Sequence, residues 1–108
     1  MNDPLTKKKC VPCEGGVPSL TSGRAEELLV QVPGWELQDT YITRTYRFAN
    51  FKEAMTFVNR VATIAESEGH HPDITITYNI VTLTLTTHAI AGLSENDFIL
   101  AAKIDAEQ

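Results

Sequence analysis

The sequence predicts an α+β fold: two layers, with a four-stranded antiparallel sheet carrying helices packed on one face, in the order α-β-β-α-β-β-α. Three observations lead there. A long amphipathic stretch from about Phe51 to Glu68 reads as a helix. Apolar residues alternate with threonines from Ile74 to Thr86, which reads as a β-hairpin. Pairs of strands then alternate with helices, a pattern satisfied by an antiparallel sheet covered on one side.

The elements follow in order. Residues 1–19 form an extended or loosely packed leader punctuated by Pro12, Gly15-Gly16 and Pro18, and residues 20–108 form a single domain. Thr21 or Ser22 caps a short helix carrying Leu28, Leu29 and Val32, and Pro33-Gly34 ends it. From Trp35 to Phe48 the β-branched and aromatic residues favour two strands, turning at Gln38-Asp39. Ile42, Tyr46 and Phe48 share an apolar face, and Arg44 must lay its stem along that face and carry its charge to the rim. Asn50 caps the long helix with Glu53 three residues on, and Gly69 stands at the left-handed C′ position. Its apolar face reads as Phe51, Met55, Val58, Ala62 and Ala65, flanked by Ala54, Phe57, Val61 and Ile64. After the hairpin, Ser94 caps a C-terminal helix, with Asp97 at the third helical position.

Bulk composition narrows the function. The 108 residues are 43% hydrophobic and 21% charged, as in an ordinary globular domain. A net charge of -5 argues against nucleic acid or an anionic membrane as partner, since both are polyanions. No stretch approaches the ~20 apolar residues of a membrane helix, and the first residues hold no apolar signal-peptide core, so the expected setting is cytoplasmic. Cys10 and Cys13 form one C-x-x-C pair, half of a structural zinc site, in a leader rather than between a strand and a helix. A structural or incidental role is expected for both.

The chemistry concentrates at the histidines. All three, His70, His71 and His88, lie at one end of the hairpin. A two-residue loop at Asn79-Ile80 pairs Ile76 with Leu83 and sets His71 opposite His88; a loop at Tyr78-Asn79 sets His70 opposite Thr87 instead. In both registers the imidazoles gather, and the helix ending at Gly69 delivers Glu66 to the same corner. Histidine gives and takes protons near neutrality, so imidazoles with a carboxylate suit a reaction needing an acid and a base together. Adjacent His70 and His71 diverge in extended backbone, which disfavours a zinc site of three histidines. Asp97 is more economically a helix cap than a catalytic acid, and Trp35 is core.

Glu66-x3-His70-His71-Pro72, Tyr78, Thr86-Thr87-His88 and Gly92-Leu93-Ser94-x-x-Asp97 closely resemble the signature of the pterin-4a-carbinolamine dehydratases. The similarity runs from Pro33-Gly34-Trp35 to the C-terminus, and the leader takes no role from it. The resemblance implies dehydration of a 4a-hydroxytetrahydropterin to the quinonoid dihydropterin, recycling the pterin of an aromatic amino-acid hydroxylase. It matches His70, His71 and His88 to the catalytic histidines, and Glu66, Pro72, Thr87, Ala89 and Ile90 to the pterin pocket. It implies neither metal nor other cofactor, and a homodimer or homotetramer. Family members often carry an aromatic shortly after the His-His-Pro triplet, where this chain has Ile74, so one pocket wall differs. Two other readings stand beside it: a non-catalytic protein-binding role, as in related transcription cofactors, and metal-dependent hydrolysis at three histidines.

Overall fold

A computed structural model describes residues 5–10 and 19–106. The elements are α1 (Ser22–Leu29), β1 (Glu36–Leu37), β2 (Ile42–Arg47), α2 (Phe51–Glu68), β3 (Asp73–Thr77), β4 (Ile80–Leu85) and α3 (Glu95–Ala106). The strands form one antiparallel sheet in the order β1-β2-β4-β3. The fold is the α+β arrangement that the sequence predicts.

Side-chain alternation sorts the sheet into two faces. Ile42, Tyr46, Val81, Leu83 and Leu85 are buried beneath the helices. On the opposite, open face the threonines pair by their hydroxyls, Thr43 with Thr84 at 3.3 Å and Thr45 with Thr82 at 3.1 Å. Arg44 shares the apolar face, as its spacing requires. Its guanidinium sits 4.7 Å from the Tyr46 ring centroid and 3.1 Å from Asp105. Gly34 makes room for it: a Cβ there would stand 2.9 Å from the guanidinium carbon, and the residue's φ of 96° suits glycine alone. Asp105 also accepts hydrogen bonds from the Trp35 indole at 3.0 Å and the Tyr46 hydroxyl at 2.7 Å. Burial, then that bond, pushes the Tyr46 phenol well above its ordinary range.

Two expectations need correction. On α2 the buried stripe is Ala54, Phe57, Val61 and Ala65, while Phe51 is 51% exposed and Ala62 is also exposed. Phe57 sets the rotation of the helix, stacking on Tyr46 at 4.6 Å and on Phe48 at 5.1 Å. In the hairpin the loop is Tyr78-Asn79, so Ile76 faces Val81 and Ile74 faces Leu83. The Asn79-Ile80 loop, with His71 opposite His88, is not formed. Tyr78 takes the positive φ of the tight turn, 51°. The Asn79 side chain donates to the Phe48 carbonyl at 2.7 Å, and its own carbonyl accepts from the Phe48 N–H at 2.9 Å.

The leader also departs from its loose picture where it is described. Leu5 begins a single 3₁₀ turn and is buried in the core, at 2% exposure. The segment lies against α3, whose run from Asn96 to Ala102 is buried throughout. A helix apolar around most of its circumference needs cover on every side, and residues 5–10 supply part of it.

Candidate active site

The end of α2 places the first histidine. Gly69 takes the left-handed conformation at φ 67°, and the His70 N–H closes on the Ala65 carbonyl at 3.2 Å. That turn swings the His70 ring toward the start of α3, where Nε2 lies 2.6 Å from Asp97 Oδ1. Asp97 is fully buried, and its other oxygen accepts from the Thr87 hydroxyl at 2.9 Å and the Ser94 N–H at 3.0 Å. The Thr87 and Ser94 hydroxyls are themselves 2.7 Å apart. One carboxylate therefore joins the His70 ring, the segment entering His88 and the N-terminus of α3. The contact runs between His70 Nε2 and the carboxylate, and the opposite ring nitrogen, Nδ1, makes no part of it.

His71 and His88 are held differently. His71 Nε2 bonds the Glu66 carboxylate, and both side chains are largely in solvent. His88 opens a 3₁₀ turn, His88–Ile90, rather than continuing β4. Its ring is exposed and has no hydrogen-bond partner among the described residues. The turn is closed by Thr87 and Gly92, which pair at 2.9 Å from the Thr87 N–H to the Gly92 carbonyl. Ala89 is exposed, and Pro72 and Ile90 are half-buried. Extending the β3–β4 register sets His70 level with Thr87 and His71 with Thr86, in keeping with the shared contact at Asp97. Among the described residues no three His, Cys, Asp or Glu side chains gather closely enough to hold a metal ion. A cavity of about 310 Å³ borders the segment after His88, between Ala91–Leu93, the N-terminus of α1 and the Gln38–Thr40 turn, but it is lined by no histidine.

The sequence reading gave Asp97 a capping role only. It does cap α3, but it also fixes His70, and the motif spacing alone carried no signal that the two would meet. Glu68 went unnoticed as well. It accepts from the Cys10 N–H at 2.9 Å and from Lys103 at 2.8 Å. The Cys10 thiol lies 3.6 Å from the Asn96 carbonyl, and burial, then the nearby Glu68 charge, pushes it up to about 12. A thiol so held is protonated and unreactive at neutral pH. Cys13 falls outside the described residues.

Comparison with known proteins bears on this geometry. A family model described as pterin 4 alpha carbinolamine dehydratase matches residues 18–107. The chain is 54% identical over 103 residues to a protein of Methylococcus capsulatus, covering 94% of this chain and 90% of that one. It is 53% identical over 104 residues to a protein of Halorhodospira halophila, covering 94% and 95%. Both carry the provisional name pterin-4-alpha-carbinolamine dehydratase. A solved transcriptional coactivator/pterin dehydratase from Brucella melitensis superposes with a TM-score of 0.78 at 36% identity, covering 82% of this chain and 96% of that one. A pterin dehydratase-like protein identified as a RuBisCO assembly factor in the alpha-carboxysome superposes with a TM-score of 0.56 at 23% identity, covering 67% and 83%, which is a likeness of fold. Matched by the family model over residues 18–107 and 54% identical to a relative over 94% of its length, this chain belongs to the pterin-4a-carbinolamine dehydratase family.

Proposed function

We propose that the protein dehydrates a 4a-hydroxytetrahydropterin to the quinonoid dihydropterin by histidine acid–base catalysis. The observation that carries this reading is the Asp97 carboxylate, which binds the His70 ring and the residue preceding His88 at once. The leaving hydroxyl of such a substrate sits on a carbon beside a ring nitrogen, whose lone pair expels it once it is protonated. An acid must supply that proton and a base must take one from a ring N–H; the products are water and the dihydropterin. His71 is assigned as the acid, its ring held at Nε2 by the Glu66 carboxylate. His88, whose ring has no partner among the described residues, is assigned as the base. His70, fixed by Asp97, orients the pterin. Pro72, Thr87, Ala89 and Ile90 complete the binding surface.

A coupled assay with an aromatic amino-acid hydroxylase, following 4a-carbinolamine decay, tests the activity. Purified protein is expected to accelerate the decay, and His71→Ala to lower turnover by roughly 10²-fold or more, the usual worth of a positioned acid. A change within about twofold sinks the assignment to His71. A homo-oligomeric state and a cytoplasmic setting go with this reading.

A second reading, a protein-binding role, draws on the open flank of the molecule. Phe51, Ile76 and Tyr78 are exposed, and β3 is an edge strand. Absent turnover together with a stable co-purifying protein favours it.

A further inference from the structure

The N-terminal segment meets the main domain at the two helix ends that hold the candidate site. Leu5 is inserted in the core, Lys8 pairs with Glu95, and Cys10 donates its N–H to Glu68 and its thiol to the Asn96 carbonyl. Glu68 is the last residue of α2 and stands two residues before His70. Asn96 is the neighbour of Asp97, the acceptor of the His70 ring. Lys103 reaches across from α3 to the second Glu68 oxygen at 2.8 Å. The Glu68 and Lys103 side chains are only 10% and 18% exposed. A pair so shielded is screened far less than a surface ion pair.

We propose that Glu68 is a positioning residue for the candidate active site, tying the N-terminal segment, the end of α2 and the body of α3 together so that His70 Nε2 meets Asp97 Oδ1. His70 leaves α2 through a single glycine in the left-handed conformation, which fixes direction but supplies no side chain to hold the helix end against α3. The Glu68 carboxylate is one such hold, and it has a donor on each side. The Lys103 ammonium and the Cys10 N–H keep its carboxyl below the usual carboxylate range, so at neutral pH the clamp is ionised and closed. Releasing it frees the α2 end to shift against α3, and displacement of a catalytic group by about 1 Å can cost up to roughly 10²-fold in rate.

This inference rests on the dehydratase reading for its kinetic arm only; its spectroscopic arm stands alone. The test compares wild type with Glu68→Gln, Glu68→Ala, Lys103→Ala and Lys103→Arg in the full chain. Folded fraction is followed by circular dichroism, the His70 ring by side-chain nitrogen NMR, and turnover by the coupled assay. Glu68→Ala and Lys103→Ala are expected to shift or broaden the His70 ring signal and to lower kcat by roughly tenfold with KM nearly unchanged. Lys103→Arg, which keeps the ion pair, restores both, and Glu68→Gln, which keeps the shape and drops the charge, falls between. If Glu68→Ala does not fold, the glutamine and Lys103 variants carry the comparison. An unmoved His70 signal in folded variants, with kcat falling only as the folded fraction falls, overturns the proposal. A shifted His70 signal in a protein without turnover leaves the positioning role standing and removes the dehydratase reading.

Discussion

Asp97 serves three donors with one carboxylate, and one of them, the Thr87 hydroxyl, is buried with it. The side chain is fully buried, while His70 Nε2, the Thr87 hydroxyl and the Ser94 N–H all point at it. Replacing it with leucine removes the acceptor of the buried Thr87 hydroxyl and of two half-buried donors. Each unpaired buried group costs on the order of 1–3 kcal/mol, so Asp97→Leu is expected to lower unfolding free energy by about 2–4 kcal/mol, read from a urea titration. A loss below about 1 kcal/mol contradicts the hub described here. The sequence places all three histidines at one end of the hairpin, because its strand register brings residues 70–71 near residues 86–88. Their hydrogen-bond partners were not legible there, since Asp97 lies 27 positions from His70 and at a helix start, where a cap explains it just as well.

At the scale of elements, α2 and the hairpin show where periodicity decides and where it does not. Both stripes of α2 are apolar, Phe51-Met55-Val58-Ala62 and Ala54-Phe57-Val61-Ala65, so only the aromatic stack of Phe57 on Tyr46 and Phe48 fixes the rotation. In the hairpin, the two candidate loops differ by a two-residue shift, which leaves every side chain on its own face. The hydrophobic pattern is blind to that shift, and the Asn79–Phe48 bonds settle it. Helix ends were more legible: Asn50 accepts from the Glu53 N–H at 2.8 Å, and Gly69 ends α2 as the sequence predicts. Gly69→Ala meets no steric obstacle but must hold a positive φ, and is expected to cost about 1 kcal/mol by chemical denaturation. The clamp at the same helix end gives a pH signature. Facing Glu68 are Lys103 of α3 and Lys9 and Cys10 of the N-terminal segment. Its folded carboxyl lies below the ordinary value, so its contribution is complete above the usual carboxylate range and disappears as pH falls through the depressed value. Thermal melts from pH 7 down to 3 are expected to show wild type losing its advantage over Glu68→Gln as the acid range is entered; a constant gap contradicts it.

For the whole molecule, one sheet face is covered by helices and the other is open, with β3 the edge strand among the described residues. In the proposed homo-oligomer, that edge and the neighbouring Ile76 are the surface to interrogate. An inserted charge blunts strand-to-strand association, so Ile76→Lys is expected to shift sedimentation toward the monomer, and an unchanged distribution places the contact elsewhere. The architecture was readable because composition, alternation and helix signals agreed. The docking of Leu5–Cys10 was not, because three lysines and a cysteine ahead of a proline resemble a solvated tail until Leu5 finds its slot. The strand order has a further consequence during synthesis. Ile42–Arg47 zips against Ile80–Leu85, with all of α2 in the intervening loop. A nascent chain therefore holds Ile42–Arg47 with one backbone edge lacking its partner until Leu85 has cleared the ribosome, and an open strand edge is a template for pairing with other chains.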